Sequence, residues 1–371
     1  MTANYNYQNL PPFVSGELSE STWNEQRRNE IIELFRSQVY GRIYHAGEIS
    51  ISHRVADSSG NRGFMDNRAD RKIIEIIARR GEREFIFPLY LFLPKRAERK
   101  PSPVILTIVN RALSDVDPSR KHVDPFWPAE MMIARGYAAA AVITHEIAPD
   151  YEENFTTKFH RLFPEYATNR PDDAWGAIGA WAWGMSRAID YLVTDPQINT
   201  NEIAVAGHSR GGKTALWCGG QDKRVSMVFS SCSGCSGAAI TRGKTGEHIR
   251  EITQKFPFWF CKNYVKYADN EETMPFDQHL LLSLIAPRPL CLSEKSSDSW
   301  CDPRAEFESL KRVSAIYRLF GKAGDLGKMP GPEEQVISGN LAYHLRTGEH
   351  NLDEYDWERY LGFCDRHFHP C

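Results

Sequence analysis

The distribution of apolar residues changes character along the chain. Residues 1–20 are polar and aperiodic, and are expected to run over the surface as a tail. Residues 22–40 then place Ile31, Ile32, Leu34, Phe35 and Val39 on one helical stripe, with Thr22 as the expected cap and Glu25 three positions on. Two apolar runs, 71–80 and 84–93, flank a Gly-Glu-Arg-Glu turn and predict an antiparallel hairpin.

From residue 103 the pattern becomes one of short, continuous apolar runs: "PVILTIVN" (103–110), "YAAAAVIT" (137–144), "EIAVAG" (202–207), "VSMVFSSCSG" (225–234), "APRPLCLSE" (286–294) and "LAYHLRTG" (341–348). A strand apolar on both faces is a buried parallel strand. Helical patterns separate the runs, at 126–136, 172–195, 211–220, 303–321 and 352–368. The alternation predicts an α/β fold, a three-layer sandwich with a mostly parallel central sheet behind N-terminal antiparallel strands. Residues 236–285 break the alternation with aromatics and turns, and are expected to form an inserted segment over the active site. Packing against the core explains most of those aromatics equally well. The expected organisation is a tail over 1–20 and a single domain over 21–371 carrying the insertion.

Composition narrows the function. With 371 residues, 42% of them hydrophobic, the chain can bury a large core. A net charge of -3 offers no strong field, so nucleic acid and anionic membrane are not expected partners. No apolar run approaches the ~18 residues of a membrane span. The opening "MTANYNYQNLPPF" lacks the basic start and apolar stretch of a signal peptide. That points to the cytoplasm for the chain as written, and to secretion if a leader was removed. Eight cysteines, all beyond residue 217, are too few for a disulfide scaffold. Cys232-Ser-Gly-Cys235 has no second pair at zinc spacing and reads as buried thiols.

The candidate chemistry lies in "IAVAGHSRGGKTALW" (203–217). Gly207 to Thr214 spells the phosphate-binding G-x-x-x-x-G-K-T. Gly207, Ser209 and Gly211 spell the G-x-S-x-G nucleophile elbow. Both motifs need a strand, a tight turn and a helix. The wider chain separates them. A phosphate-binding loop needs a partner strand ending in Asp to hold magnesium, whereas the apolar strands here end in Asn110, His145 and Ser231. The elbow needs an acid and then a histidine after later strands. Asp298 and Asp302 follow the run at 286–294, and His350 follows the run at 341–348.

Ser209 is therefore the expected nucleophile, His350 the base and Asp298 the acid. A serine hydroxyl attacks well only if a base takes its proton, and that imidazole needs a carboxylate to hold its tautomer. Asp302 precedes Pro303 and is equally placed to cap a helix. Glu294, at a strand end, is a third candidate acid. His344 falls inside its strand and is expected to pack or hydrogen-bond there. The amide of Arg210, with one near Asn110 and Arg111, is expected to hold the oxyanion. The Arg210 side chain reads equally as a cation beside the nucleophile or as a surface ion pair. Lys213 and Arg242 could pair with a substrate carboxylate, or simply face solvent. Trp259, Trp300 and Phe258 could stack on a sugar ring or pack in the core.

"GHSRGGK" resembles the G-x-S-R-x-G-K elbow of the glucuronoyl esterases, carbohydrate esterases that cut esters of 4-O-methylglucuronic acid. The likeness continues through "AWAWGMSRAIDYL", "GCSGAA", "MPFDQHLLLSLIAPRPL" and "DSW", from about residue 100 to 365. It implies an α/β-hydrolase fold, no cofactor, and an acyl-enzyme mechanism on a small-molecule or oligosaccharide ester. It further implies that Arg210 aids the oxyanion, that Lys213 touches sugar hydroxyls, and that Glu247 binds ring hydroxyls. Trp300, two residues after Asp298, matches a tryptophan that follows the acid in one form of the family. Family members commonly pair a Cys before the serine with a Cys after the histidine. His208 and Asn351 stand there instead, so that disulfide is not expected. Cys232 stands where some members place the acid, which favours the late acid and widens the substrate to other uronic-acid esters. The leading function is a serine carboxylester hydrolase acting on a carbohydrate ester, with a sugar acetyl esterase as the alternative. A nucleotide hydrolase and a non-catalytic module of the same fold are the other readings. Nothing in the pattern speaks to oligomeric state.

Overall fold

The computed structural model describes residues 7, 9–14, 16–58, 63–95, 100–151 and 156–368. Ten strands make one sheet: β1 (Ser50–Ser58), β2 (Ala69–Arg80), β3 (Arg83–Pro94), β4 (Ser102–Val109), β5 (Ala138–Ile143), β6 (Ile198–His208), β7 (Met227–Ser231), β8 (Leu290–Lys295), β9 (Glu334–Ser338) and β10 (Leu341–Arg346). Their order is β1-β2-β3-β5-β4-β6-β7-β8-β10-β9. The six central strands, from β5 to β10, run parallel, and antiparallel strands flank them on both sides. This is the sandwich that the apolar runs predict.

Those runs are continuous because each strand feeds two cores. Val104, Leu106 and Ile108 of β4 enter one cluster, and Ile105 and Val109 enter the other. Ile203 and Val205 of β6 alternate with Ala204 and Ala206 in the same way. The helices Arg28–Gln38, Ala177–Leu192, Arg210–Gln221 and Pro303–Leu319 cover the first face. Ala129–Ala134 and Glu354–His367 cover the second. Burying a large apolar side chain contributes about 1.5–3 kcal/mol. An exposed ion pair such as Arg54–Glu75 contributes about 0–1 kcal/mol. The helices therefore dock through Trp181, Trp217 and Trp357, all essentially buried, rather than through their charges.

Several expectations change. β1 and β9 were not legible, because they are the two edges of the sheet; β1 is largely exposed and β9 is half-buried. Thr22 is not the cap of the first helix. Ser19 is, accepting from the Thr22 amide at 3.2 Å, while the Thr22 hydroxyl closes the capping box. The helix at 126–136 shortens to Ala129–Ala134 because Pro128 takes its N-cap position. Part of the polar tail is held down, with Phe13 against the His279 ring at 5.1 Å. Residues 1–6, 8 and 15 lie outside the described set.

Residues 236–285 contain the short helices Ile249–Lys255 and Gln278–Ser283 and no strand. Their aromatics mostly pack: Phe260, Tyr264 and Phe276 are buried in the first core. Arg242 is 3% exposed, and its guanidinium donates to the carbonyls of Phe276, Glu272 and Met274. It ties the insertion to itself.

Under the carboxyl ends of β8 and β10 lies a buried ionic cluster. The Asp356 carboxylate accepts from Lys295 Nζ at 2.9 Å and pairs with His344 Nε2 at 2.8 Å, all three side chains fully enclosed. Burial alone would raise the Asp356 carboxyl, but Lys295 and His344 outweigh it and hold it below the usual carboxylate range. A depressed folded-state pKa gives stability that is complete above the unfolded value and is lost as pH falls through the folded one. Asp356→Asn leaves Lys295 buried against a neutral partner and should cost about 3–5 kcal/mol in denaturant unfolding at pH 7. The gap between the two proteins should narrow on acidification below about pH 4, where the carboxylate of the unfolded chain begins to protonate while the folded one is still ionised.

Candidate active site

β6 delivers Ser209 into the turn that opens the helix Arg210–Gln221. Ser209 has φ 56° and ψ -125°, a conformation that non-glycine residues rarely adopt. The helix must double back over the strand that feeds it. A Cβ on Gly207 would stand 2.1 Å from the Gly211 carbonyl oxygen, and one on Gly212 would stand 2.9 Å from Ser230 Oγ. The glycines of the motif are thus a packing requirement. The Ser209 amide donates to the Ser231 carbonyl at 2.8 Å, anchoring the turn to β7.

This geometry belongs to an elbow and not to a phosphate cradle. Lys213 is 3% exposed, and its Nζ donates to the Ser233 carbonyl at 2.5 Å. The Thr214 hydroxyl donates back to the Arg210 carbonyl at 2.8 Å within the helix. Neither group is turned toward a nucleotide or its magnesium.

Two further loops meet at the same edge. The Ser297 amide donates to the Gly348 carbonyl at 3.1 Å, joining the turn after β8 to the turn after β10. Across that join, His350 Nδ1 and Asp298 Oδ2 are 2.6 Å apart. With Nδ1–H as donor, Nε2 is left as the acceptor. Asp298 Oδ1 takes the Cys301 amide at 3.2 Å. Burial would raise the Asp298 carboxyl, but the His350 hydrogen bond and charge prevail and lower it. The Asp298 side chain is 4% exposed and that of His350 is 41% exposed, so the acid is enclosed and the imidazole opens to solvent. The ring of His208, the residue before Ser209, lies 4.5 Å from the His350 ring and stands edge-on to Phe126 at 5.8 Å. His208 is driven well below the usual imidazole range, first by burial and then by nearby cations, and stays neutral beside His350.

The other candidate acids have different work. Asp302 Oδ1 accepts from the Ala305 amide at 3.1 Å and caps the helix Pro303–Leu319. Its Oδ2 takes the Thr245 amide at 2.7 Å. Glu294 is fully buried. Burial first, and then the neighbouring Glu306 carboxyl, push it well above the carboxylate range. Glu306 accepts from the Gly234 amide at 2.6 Å and the Ser233 hydroxyl at 3.0 Å. His344 belongs to the buried ionic cluster described above.

Arg210 makes the ion pair that its composition allows. Its Nε donates to Asp150 Oδ2 at 2.6 Å and its Nη2 to the Asn110 carbonyl at 3.0 Å, over the Trp259 ring at 5.7 Å. The Trp259 indole donates to the Asp150 carbonyl at 3.0 Å. The guanidinium is thereby fixed beside the elbow, between the ends of β4 and β6. No spacing rule connects residues 150 and 210, so Asp150 escaped the sequence. Trp300 is 53% exposed, and its carbonyl accepts from the Glu247 amide at 3.0 Å, so these two residues share a rim. Arg242 is not brought to this group; its donors serve the insertion. The positions where a disulfide was not expected hold His208 and Asn351. Asn351 Oδ1 accepts from Arg111 Nη2 at 2.6 Å, and Arg111 lies over Phe126 at 4.3 Å. The described cysteines are free and buried, as their composition suggests, and Cys371 lies outside the described residues. Two sets of donors converge closely enough to hold a metal: Cys232, Asp298 and His350, and Glu294, Asp298 and Cys301.

A family profile described as "Glucuronyl esterase, fungi" matches residues 79–321. A carbohydrate esterase from an unknown prokaryotic organism is 34% identical over 384 residues, covering 94% of this chain and 86% of that protein. A 4-O-methyl-glucuronoyl methylesterase 1 of Phanerochaete chrysosporium is 34% identical over 178 residues, 46% of this chain and 36% of that protein. Among solved structures, a glucuronoyl esterase from Solibacter usitatus matches with a TM-score of 0.87 at 33% identity, over 99% of this chain and 100% of that one.

The elbow is testable by volume alone. Gly207→Ala forces a methyl group against the Gly211 carbonyl, and overpacking of this kind costs about 1–3 kcal/mol. Thermal unfolding should show that loss, and labelling of Ser209 by a fluorophosphonate should slow with it.

Proposed function

The chain belongs to the glucuronyl esterase family, and on that premise we propose that it cleaves a uronic-acid ester of a carbohydrate through an acyl-enzyme on Ser209. It is a serine carboxylester hydrolase. His350 Nε2 takes the Ser209 proton as the hydroxyl attacks the ester carbonyl. Asp298 holds Nδ1–H and stabilises the imidazolium that results. The oxyanion forms at the start of the helix Arg210–Gln221, where backbone amides and the helix dipole favour negative charge. Arg210, fixed by Asp150, adds a cation there. His350 then gives its proton to the departing alcohol, and a water molecule repeats the sequence in reverse to release the acid.

The observation that carries this reading is the 2.6 Å contact between His350 Nδ1 and Asp298 Oδ2 at the rim of the elbow. On the substrate side, the exposed indole of Trp300 offers a face for a sugar ring, with Glu247 beside it as acceptor for ring hydroxyls. Lys213 lies beneath, where its ammonium orients the Ser233 turn. Among the described residues no helix is long and apolar enough to cross a membrane.

Benzyl glucuronate, methyl galacturonate and acetylated sugars, compared by kcat/KM, test the substrate class. The glucuronate ester should lead, and a preference for acetyl esters would replace this reading with a sugar acetyl esterase. Ser209→Ala should lower kcat by about 10⁴–10⁶, and Asp298→Asn by about 10⁴. Asp302→Ala should leave the rate within a few-fold while lowering stability by about 1 kcal/mol through the lost helix cap.

A further inference from the structure

Two thiols lie beside the Asp298–His350 pair. Cys301 Sγ lies 3.6 Å from His350 Nδ1. Donor atoms of Cys232, Asp298 and His350 all lie within 4.8 Å of one another. The two sulfurs belong to segments in contact, since the Cys301 thiol donates to the Cys232 carbonyl at 3.4 Å. Acyl transfer uses neither sulfur. The Asp298–His350 pair thus sits in a nest of soft donors that the proposed reaction leaves idle.

We propose that Cys232, Asp298 and His350 form an inhibitory site for a thiophilic divalent cation such as zinc, with Cys301 at its edge. Zinc takes thiolate sulfur at about 2.3 Å, imidazole nitrogen at about 2.0–2.1 Å and carboxylate oxygen at about 2.0–2.2 Å. Donors on one tetrahedral ion therefore stand about 3.2–3.7 Å apart, and the present spacing needs adjustment by about an ångström. The half-exposed His350 ring gives the ion a route from solvent and room for a water as fourth ligand.

The proton count follows from the ligands. The Cys232 thiol gives its proton to solvent and binds as thiolate. Nδ1 must offer its lone pair to the metal, so its hydrogen is lost to solvent and Nε2 takes one up. The net release is one proton per ion. Burial raises both thiols, so without metal they are neutral and inert at neutral pH. In the metal-bound state Nε2 carries hydrogen and faces Ser209 as a donor. It can no longer accept the serine proton, and hydrolysis stops. That last consequence rests on His350 being the base; the binding itself does not.

Calorimetric titration of the full chain with zinc chloride tests the site independently of turnover. One ion per chain should bind, with about one proton released when buffers of different ionisation enthalpy are compared, and affinity should rise about tenfold per pH unit. Cys232→Ser should weaken binding at least tenfold, and Cys232→Ala should do the same if the serine variant does not fold. Equal affinity in the wild type and both Cys232 variants, or no stoichiometric binding by the wild type, overturns the proposal. In parallel, zinc should abolish ester hydrolysis and EDTA should restore it, each protein being scaled to its own metal-free rate. A chain that hydrolyses no ester even without metal refutes the function proposed above, while the calorimetry still decides the metal site.

Discussion

The site depends on one backbone conformation that the chain would not choose by itself. At φ 56° and ψ -125°, Ser209 occupies a region that costs on the order of 1–3 kcal/mol for a residue with a side chain. The cost is offset nearby. The amide of Ser209 is tied to β7, the glycines at 207, 211 and 212 let the helix close on the strand, and that helix buries Ala215, Leu216 and Trp217 in the core. The strained turn lifts the hydroxyl clear of the sheet and aims a helix N-terminus at the same point. His350, Arg210 and the rim at Trp300 are positioned relative to it.

Beneath the turn, the interior holds a group of buried ionisable side chains. Asp356 stays ionised because Lys295 and His344 share it. Glu294 and Glu306 lie together in the dark of the core, where burial keeps Glu294 protonated. A buried ion pair is weak evidence for added stability, since desolvation consumes most of its attraction. Its effect here is positional. Lys295 ends β8, His344 lies in β10, and Asp356 lies on the final helix, so the cluster clamps the two strands that lead to Asp298 and His350. The Lys295 ammonium also reaches Ser231 Oγ at 3.2 Å, and Ser231 reaches His208 Nδ1 at 3.3 Å, which extends the clamp to the elbow.

How much of this could be read in advance follows from the range of each signal. Central strands announce themselves because two covered faces demand unbroken apolar runs; β4 is buried at every position. The edges β1 and β9 carry no such demand and pass for loops. The meeting of the elbow with an acid-bearing turn and the His350 turn was legible because strand ends in a parallel sheet share one edge, so chain order translates into proximity. Whether Asp298 or Asp302 faces the histidine was not legible. Both precede a helix, and only the coordinates assign one to His350 and the other to a cap. Arg242 misled because an arginine's five donors can satisfy loop carbonyls as well as a ligand's carboxylate. Asp150 and Cys301 were invisible for a simpler reason: their partners lie 60 and 49 residues away, with no period linking them.

The histidine turn is held to the rest of the site by Arg111, whose guanidinium grips Asn351 and rests on Phe126, and by the ring of His208. These contacts form as soon as the loops meet. Among the described residues no disulfide braces this machinery, so its assembly asks nothing of an oxidising folding pathway and a thiol reductant finds no bond there to break.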